Sequence, residues 1–115
     1  MYCLFTNDVE TTSIWHNSLR NEMGWKVYNE GMPMLLDLYK RYEIKTTFFF
    51  TGYIAKLCPE IVKMVVPYGH EVASHGMSHE KCNGFDVLPL KKQIINLIKS
   101  KKILEDLSGH EVVSF

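Results

Sequence analysis

Thr46-Thr47-Phe48-Phe49-Phe50-Thr51 is the stretch on which the fold turns. β-Branched and aromatic side chains suit a pleated, half-buried surface, and Lys45 and Gly52 bound the run, so it reads as a strand. Upstream, Met34, Leu35, Leu38 and Tyr42 recur at helical spacing over residues 32–42, with Pro33 where a first helical turn tolerates it. Downstream, residues 54–66 form a second helical stretch, broken at Cys58 and reopened by Pro59. Gly69-His70-Glu71-Val72-Ala73-Ser74 then reads as a tight turn leading into another strand. Residues 89–107 make the longest helix, with Leu90, Ile94, Leu97, Ile98 and Leu104 expected on its buried face and Ser108-Gly109 as its C-cap.

The two ends complete the alternation. Residues 2–6 are apolar and aromatic and read as a first strand, running out into the polar string of residues 7–13. Residues 14–30, interrupted by Gly24 and Gly31, read as a long loop with a short helical piece. Residues 111–115 open a fourth strand. The order βαβαβαβ implies an α/β fold with parallel strands and right-handed crossovers. A closed barrel of this kind takes about 250 residues, and 115 are present. The expectation is an open sheet or the first half of a barrel, truncated at the C-terminal end.

Composition narrows the function. Lys+Arg and Asp+Glu both number 13, a formal net charge of zero, and this argues against a nucleic-acid binder held by phosphate contacts. No apolar run reaches the ~20 residues of a membrane-spanning helix. The N-terminus lacks the basic and small-residue features of a signal peptide, so a cytoplasmic location is expected. Cys3, Cys58 and Cys82 are odd in number and scattered, which speaks against a disulfide framework.

Two clusters follow strands, at the end where parallel α/β folds build their sites. Asp8 and Glu10 follow the first; His75-Gly76-Met77-Ser78-His79 follows the third. Histidines at i and i+4 are neighbours about 5–6 Å apart at Cβ, close enough for both imidazoles to share an ion. A carboxylate from another strand end would complete a two-histidine, one-carboxylate set with positions open for water and substrate. The competing reading is that these are ordinary turn and cap residues. Spacing alone leaves both open.

The motifs together resemble the N-terminal half of the polysaccharide deacetylase family, the NodB-homology or carbohydrate esterase family 4 domain. The matching residues are Phe5-Thr6-Asn7-Asp8-Val9-Glu10, the strand from Thr46 to Gly52, and the run from Gly69 through His75-Gly76-Met77-Ser78-His79 to Glu80. The resemblance implies a distorted (β/α) barrel and metal-dependent removal of N-acetyl groups from amino sugars of a polysaccharide or glycan precursor. His75 and His79 would be metal ligands, Glu10 the third ligand and Asp8 the catalytic base. The first motif reads Asp-Val-Glu where the family's common form has adjacent aspartates, which leaves open which carboxylate binds the metal. The metal would be zinc, with cobalt, nickel or manganese as alternatives. Ser78 would tie down the histidine loop.

The family's later motif built on Arg and Pro, and its general-acid histidine, have no counterpart in these residues. His16, His70 and His110 are poor substitutes, and the chain by itself is expected to be inactive. Trp15, His16 and Trp25 would border the site and contact sugar, or Trp15, Trp25 and Tyr28 would pack over the barrel end. Cys82 is either close to the metal or a small buried thiol. The alternative function is a non-catalytic metal-binding or self-associating module, because an open sheet edge and an uncovered apolar face both invite association into a homo-oligomer.

Overall fold

The structure, a computed structural model, describes residues 3–12 and 18–115. Three short parallel strands lie in the order β1-β2-β3: β1 (Thr6–Val9), β2 (Thr47–Phe50) and β3 (Glu71–Ser74). Thr6 stands opposite Thr47, which stands opposite Glu71, so the strands end level at Val9, Phe50 and Ser74. Between β1 and β2 run α1 (Asn21–Lys26), a π-helical turn (Val27–Gly31) and α2 (Met32–Arg41). Between β2 and β3 lie α3 (Gly52–Leu57), α4 (Glu60–Lys63) and a 3-10 turn (Val66–Tyr68); α5 (Leu90–Ser108) follows β3.

The phenylalanine run dictates the core. Alternate residues of a strand face opposite ways: Phe48 and Phe50 are fully buried with Ile54, Ile61, Val62 and Val65, while Phe49 is half-buried on the other face. Thr51 caps α3, its hydroxyl oxygen accepting from the Ile54 N–H. The break at Cys58 and the restart after Pro59 stand as the sequence implies.

Four expectations need correction. The first strand takes only Thr6 from the expected apolar run and continues through the polar Asn7-Asp8 to Val9; Leu4 and Phe5 are exposed, and Tyr2 lies outside the described residues. Asn7 is accommodated because its amide donates to Thr46 Oγ1 at 3.0 Å and its carbonyl oxygen accepts from the Tyr39 hydroxyl at 2.8 Å. The described part of the 14–30 loop is largely helical from Asn21 onwards and continuous with α2. Gly24 serves close packing there, since a Cβ would meet Thr11 Cγ2 at 2.7 Å and Leu57 Cδ2 at 2.8 Å. The π turn places the Met32 N–H on the Val27 carbonyl just ahead of Pro33, which has no N–H to give.

On α5 the expected stripe holds at Leu104, fully buried, and in part at Leu97, half-buried, but Leu90, Ile94 and Ile98 are exposed and Ser100 is buried instead. The small Ser100 lets the helix approach β3, its hydroxyl 2.8 Å from that of Ser74. Finally, residues 111–115 form no ladder. They run beside β3 with one backbone bond, Ser74 N–H to the Ser114 carbonyl, and with Val112 buried.

Candidate metal centre

β1 and β3 flank β2, so the chain leaving each delivers its polar residues over the same end of the sheet. Asp8 is on β1, Val9 turns into the core, and Glu10 follows just beyond the strand. After β3, the His75 N–H donates to the Phe50 carbonyl at 2.9 Å, and Gly76 at φ +73° turns the loop. The start of α3 then pins the loop from behind, with Gly52 N–H to the Gly76 carbonyl at 2.8 Å and Tyr53 N–H to the Met77 carbonyl at 2.9 Å.

Ser78 does tie the loop down. It is buried, its hydroxyl donates to Glu80 Oε2 at 3.3 Å and its oxygen accepts from Asn83 Nδ2 at 2.9 Å. Asn83 also donates to Glu80 Oε2 at 3.3 Å. This clasp was not read from the sequence, where Asn83 looks like any turn residue.

The result brings two imidazoles and a carboxylate together. The rings of His75 and His79 are 4.2 Å apart between centroids, and Glu10 Oε2 lies 2.9 Å from His79 Nδ1. One ligand atom from each of Glu10, His75 and His79 falls within 4.8 Å of the others. Atoms that each sit about 2.0–2.2 Å from one tetrahedral cation lie about 3.3–3.6 Å apart, so the widest pair would close by up to about 1.5 Å on binding. Glu10 Oε2 is moreover buried, and among the described residues its one polar neighbour is His79 Nδ1, with no well-aligned hydrogen bond to it. A buried carboxylate oxygen set against imidazole nitrogens is an arrangement that a shared divalent cation would satisfy. The residues fit the metal.

Asp8 stands beside this set rather than in it. Its Oδ2 is 3.6 Å from His75 Nε2 and its side chain is 59% exposed, open to water. Burial, and then the neighbouring His79, hold the His75 imidazole below its ordinary pKa, against the pull of Asp8 and Glu10. Neutral imidazole is the form that ligates.

The remaining candidates separate. Trp15 and His16 lie outside the described residues. Trp25 is on α1, 44% exposed, its ring 6.2 Å from that of Tyr28. Cys82 is exposed, neither a buried thiol nor a member of the cluster. His110 is exposed, and His70 is buried at the opposite end of β3.

Residues 13–115 match the sequence profile of the polysaccharide deacetylases. The chain belongs to that family. It is 38% identical over 79 residues to the peptidoglycan deacetylase of Helicobacter pylori, covering 69% of this chain and 26% of that protein. It is 35% identical over 81 residues to a peptidoglycan-N-acetylglucosamine deacetylase of Bacillus cereus, covering 70% and 28%. It thus spans about a quarter of the length of these relatives. A solved peptidoglycan N-acetylglucosamine deacetylase superposes with a TM-score of 0.69 at 24% identity, over 93% of this chain and 41% of that one. The alternating parallel sheet is accordingly the first part of a NodB-type (β/α) barrel.

Proposed function

We propose that this chain carries the metal-holding part of a hydrolase that removes N-acetyl groups from amino sugars of a glycan. The observation that supports this most is the convergence of Glu10, His75 and His79 on one point in a member of the polysaccharide deacetylase family. Both relatives described above are peptidoglycan deacetylases by name, which favours an N-acetylated cell-wall glycan as substrate.

Glu10, His75 and His79 hold the cation, zinc in the first place, with cobalt, nickel or manganese as alternatives. When bound, it supplies Lewis acidity towards the amide carbonyl and lowers the pKa of water. Asp8 is the general base: its exposed carboxylate takes a proton from the attacking water as that water adds to the carbonyl carbon. The C–N bond breaks as its nitrogen takes a proton from a general acid outside these residues, leaving acetate and a free amine. The Ser78–Glu80–Asn83 clasp fixes the loop between the two imidazoles. Isolated, these 115 residues bind the ion but release no acetate, because the oxyanion-side motif and the general acid that the resemblance calls for lie outside them.

Dialysis against zinc or cobalt, followed by metal analysis, tests the reading. Wild type is expected to retain one ion per chain and His75→Ala to lose it; equal metal content in the two removes the proposal. The exposed Leu90, Ile94 and Ile98 face of α5 favours a second reading, a self-associating module. Elution of the metal-loaded chain as a stable monomer on sizing chromatography would dismiss it.

A further inference from the structure

His70 sits at the entry to β3, about 16 Å along the strand from His75 by the rise of an extended chain. It is 8% exposed. Its Nδ1 accepts from the Thr46 N–H at 3.4 Å, so the ring hydrogen resides on Nε2. That Nε2–H is buried and meets no acceptor among the described residues. The rings of Phe48, Tyr39 and Tyr68 surround it at centroid distances of 5.2, 5.8 and 6.2 Å, Tyr68 stacked nearly parallel at 17°. Buried donors are almost always paired, and this one is not.

The same histidine lines a cavity of about 440 Å³ between the end of α2 and the 3-10 turn, together with Tyr39, Lys40, Glu43, Lys45 and Tyr68. Neither lysine pairs with a carboxylate among the described residues. Lys45 instead donates to the Tyr68 carbonyl, which draws its ammonium over the histidine's side of the cavity. Two ammonium groups against the single carboxylate of Glu43 leave the lining positive. A nitrogen that carries hydrogen offers no lone pair to a cation, so the missing partner is an acceptor.

We propose that this cavity binds a small oxyanion, a carboxylate or phosphate group, which accepts from His70 Nε2–H and pairs with Lys45. Tyr68, 37% exposed and stacked on the imidazole, is the cover that must tilt for the anion to reach the buried nitrogen. The site is independent of the metal centre, since it uses none of the same residues and opens at the opposite end of the sheet.

The test uses metal-free protein and follows the ring resonances of all five histidines by NMR. Sodium phosphate and sodium acetate are titrated in separately, at ionic strength held constant with chloride. A saturable shift at His70 is expected, with Lys45→Gln weakening the apparent affinity at least about fivefold, the loss of one ordinary charged contact. Saturation by phosphate alone identifies a phosphate group; saturation by both anions identifies carboxylate as the sufficient unit. His70→Phe, which keeps an aromatic ring among its neighbours, is expected to fold and to show no saturable heat with either anion in calorimetry. A His70 shift that is linear in added salt, equal in chloride, or unaltered by Lys45→Gln overturns the proposal. So does a long-lived water resting on Nε2–H in the presence of either anion.

Discussion

β3 is bracketed by two histidines five residues apart, and they could hardly be treated more differently. His70, before the strand, is packed among three aromatic rings and accepts a backbone hydrogen bond. His75, after it, keeps a quarter of its side chain in solvent beside Asp8 and a second imidazole. The core-forming face of Phe48 reaches His70, whereas only the opposite face, through Phe49, approaches His75 at 6.4 Å between centroids. The same side chain is thus enclosed by rings at the strand's amino end and set among carboxylates and a second imidazole at its carboxyl end. Position along a parallel strand, more than residue type, decides which.

The largest expected effect separates the two by exchange. His79→Ala is expected to lose metal by more than the ~10–100-fold that outer-shell changes cost, with little change in melting temperature. His70→Ala is expected to keep its metal and lose about 2–4 kcal/mol of stability, as core truncations do. Metal analysis and chemical denaturation on both variants check this. Loss of metal in the His70 variant at a temperature where it is folded would erase the distinction.

Asn83→Ala comes next. The amide bonds both Ser78 and Glu80 on the histidine loop, so its removal is expected to weaken zinc binding by about tenfold. Competition with a chromogenic chelator measures this, and circular dichroism should show the fold unchanged.

Acid should probe the buried histidine. Burial, and then the positive charge of Lys45, hold His70 below the ordinary imidazole value of 6.5. Below pH 6.5 the unfolded chain binds a proton that the folded chain still refuses, so stability falls as pH drops and levels off only under the folded pKa. The His70 contribution is present in full above 6.5, and its slope is at most about 1.4 kcal/mol per pH unit. Urea midpoints between pH 7.5 and 5 should fall more steeply in metal-free wild type than in His70→Phe.

The smallest effect lies beside His70. Glu43 ends α2 with φ at +53°, a left-handed conformation that disfavours any side chain, while Ile44 N–H closes on the Tyr39 carbonyl. Glu43→Gly is expected to stabilise the chain by about 0.5–1 kcal/mol. It also removes the one acidic residue lining the His70 cavity and should tighten oxyanion binding there.

Much of this was legible from residue order. The run Phe48-Phe49-Phe50 could only be a strand, and a histidine pair straight after another strand sits where sites are built. What escaped reading depends on contacts across the chain. Asn7 and Asp8 look like a loop, and they belong to β1 because Thr46 and Tyr39, far along the chain, satisfy Asn7. Gly24 looks like a breaker, and it is a contact with Thr11 and Leu57. The buried face of α5 was legible at Leu104 but not at its first half, where a serine rather than a large apolar residue meets β3. The carboxylates were legible as a pair but not in their roles. Only contacts across the chain separate Glu10, half-buried with its Oε2 against His79, from Asp8, open to solvent.

X-ray absorption on the zinc-loaded chain tests the joint grip of Glu10, His75 and His79 most directly. The expected spectrum shows two imidazole nitrogens at about 2.0–2.1 Å with the remaining ligands oxygen, and Glu10→Gln changes it while His70→Phe leaves it intact. A sulfur scatterer at about 2.3 Å, or a site with fewer than two imidazoles, would contradict it.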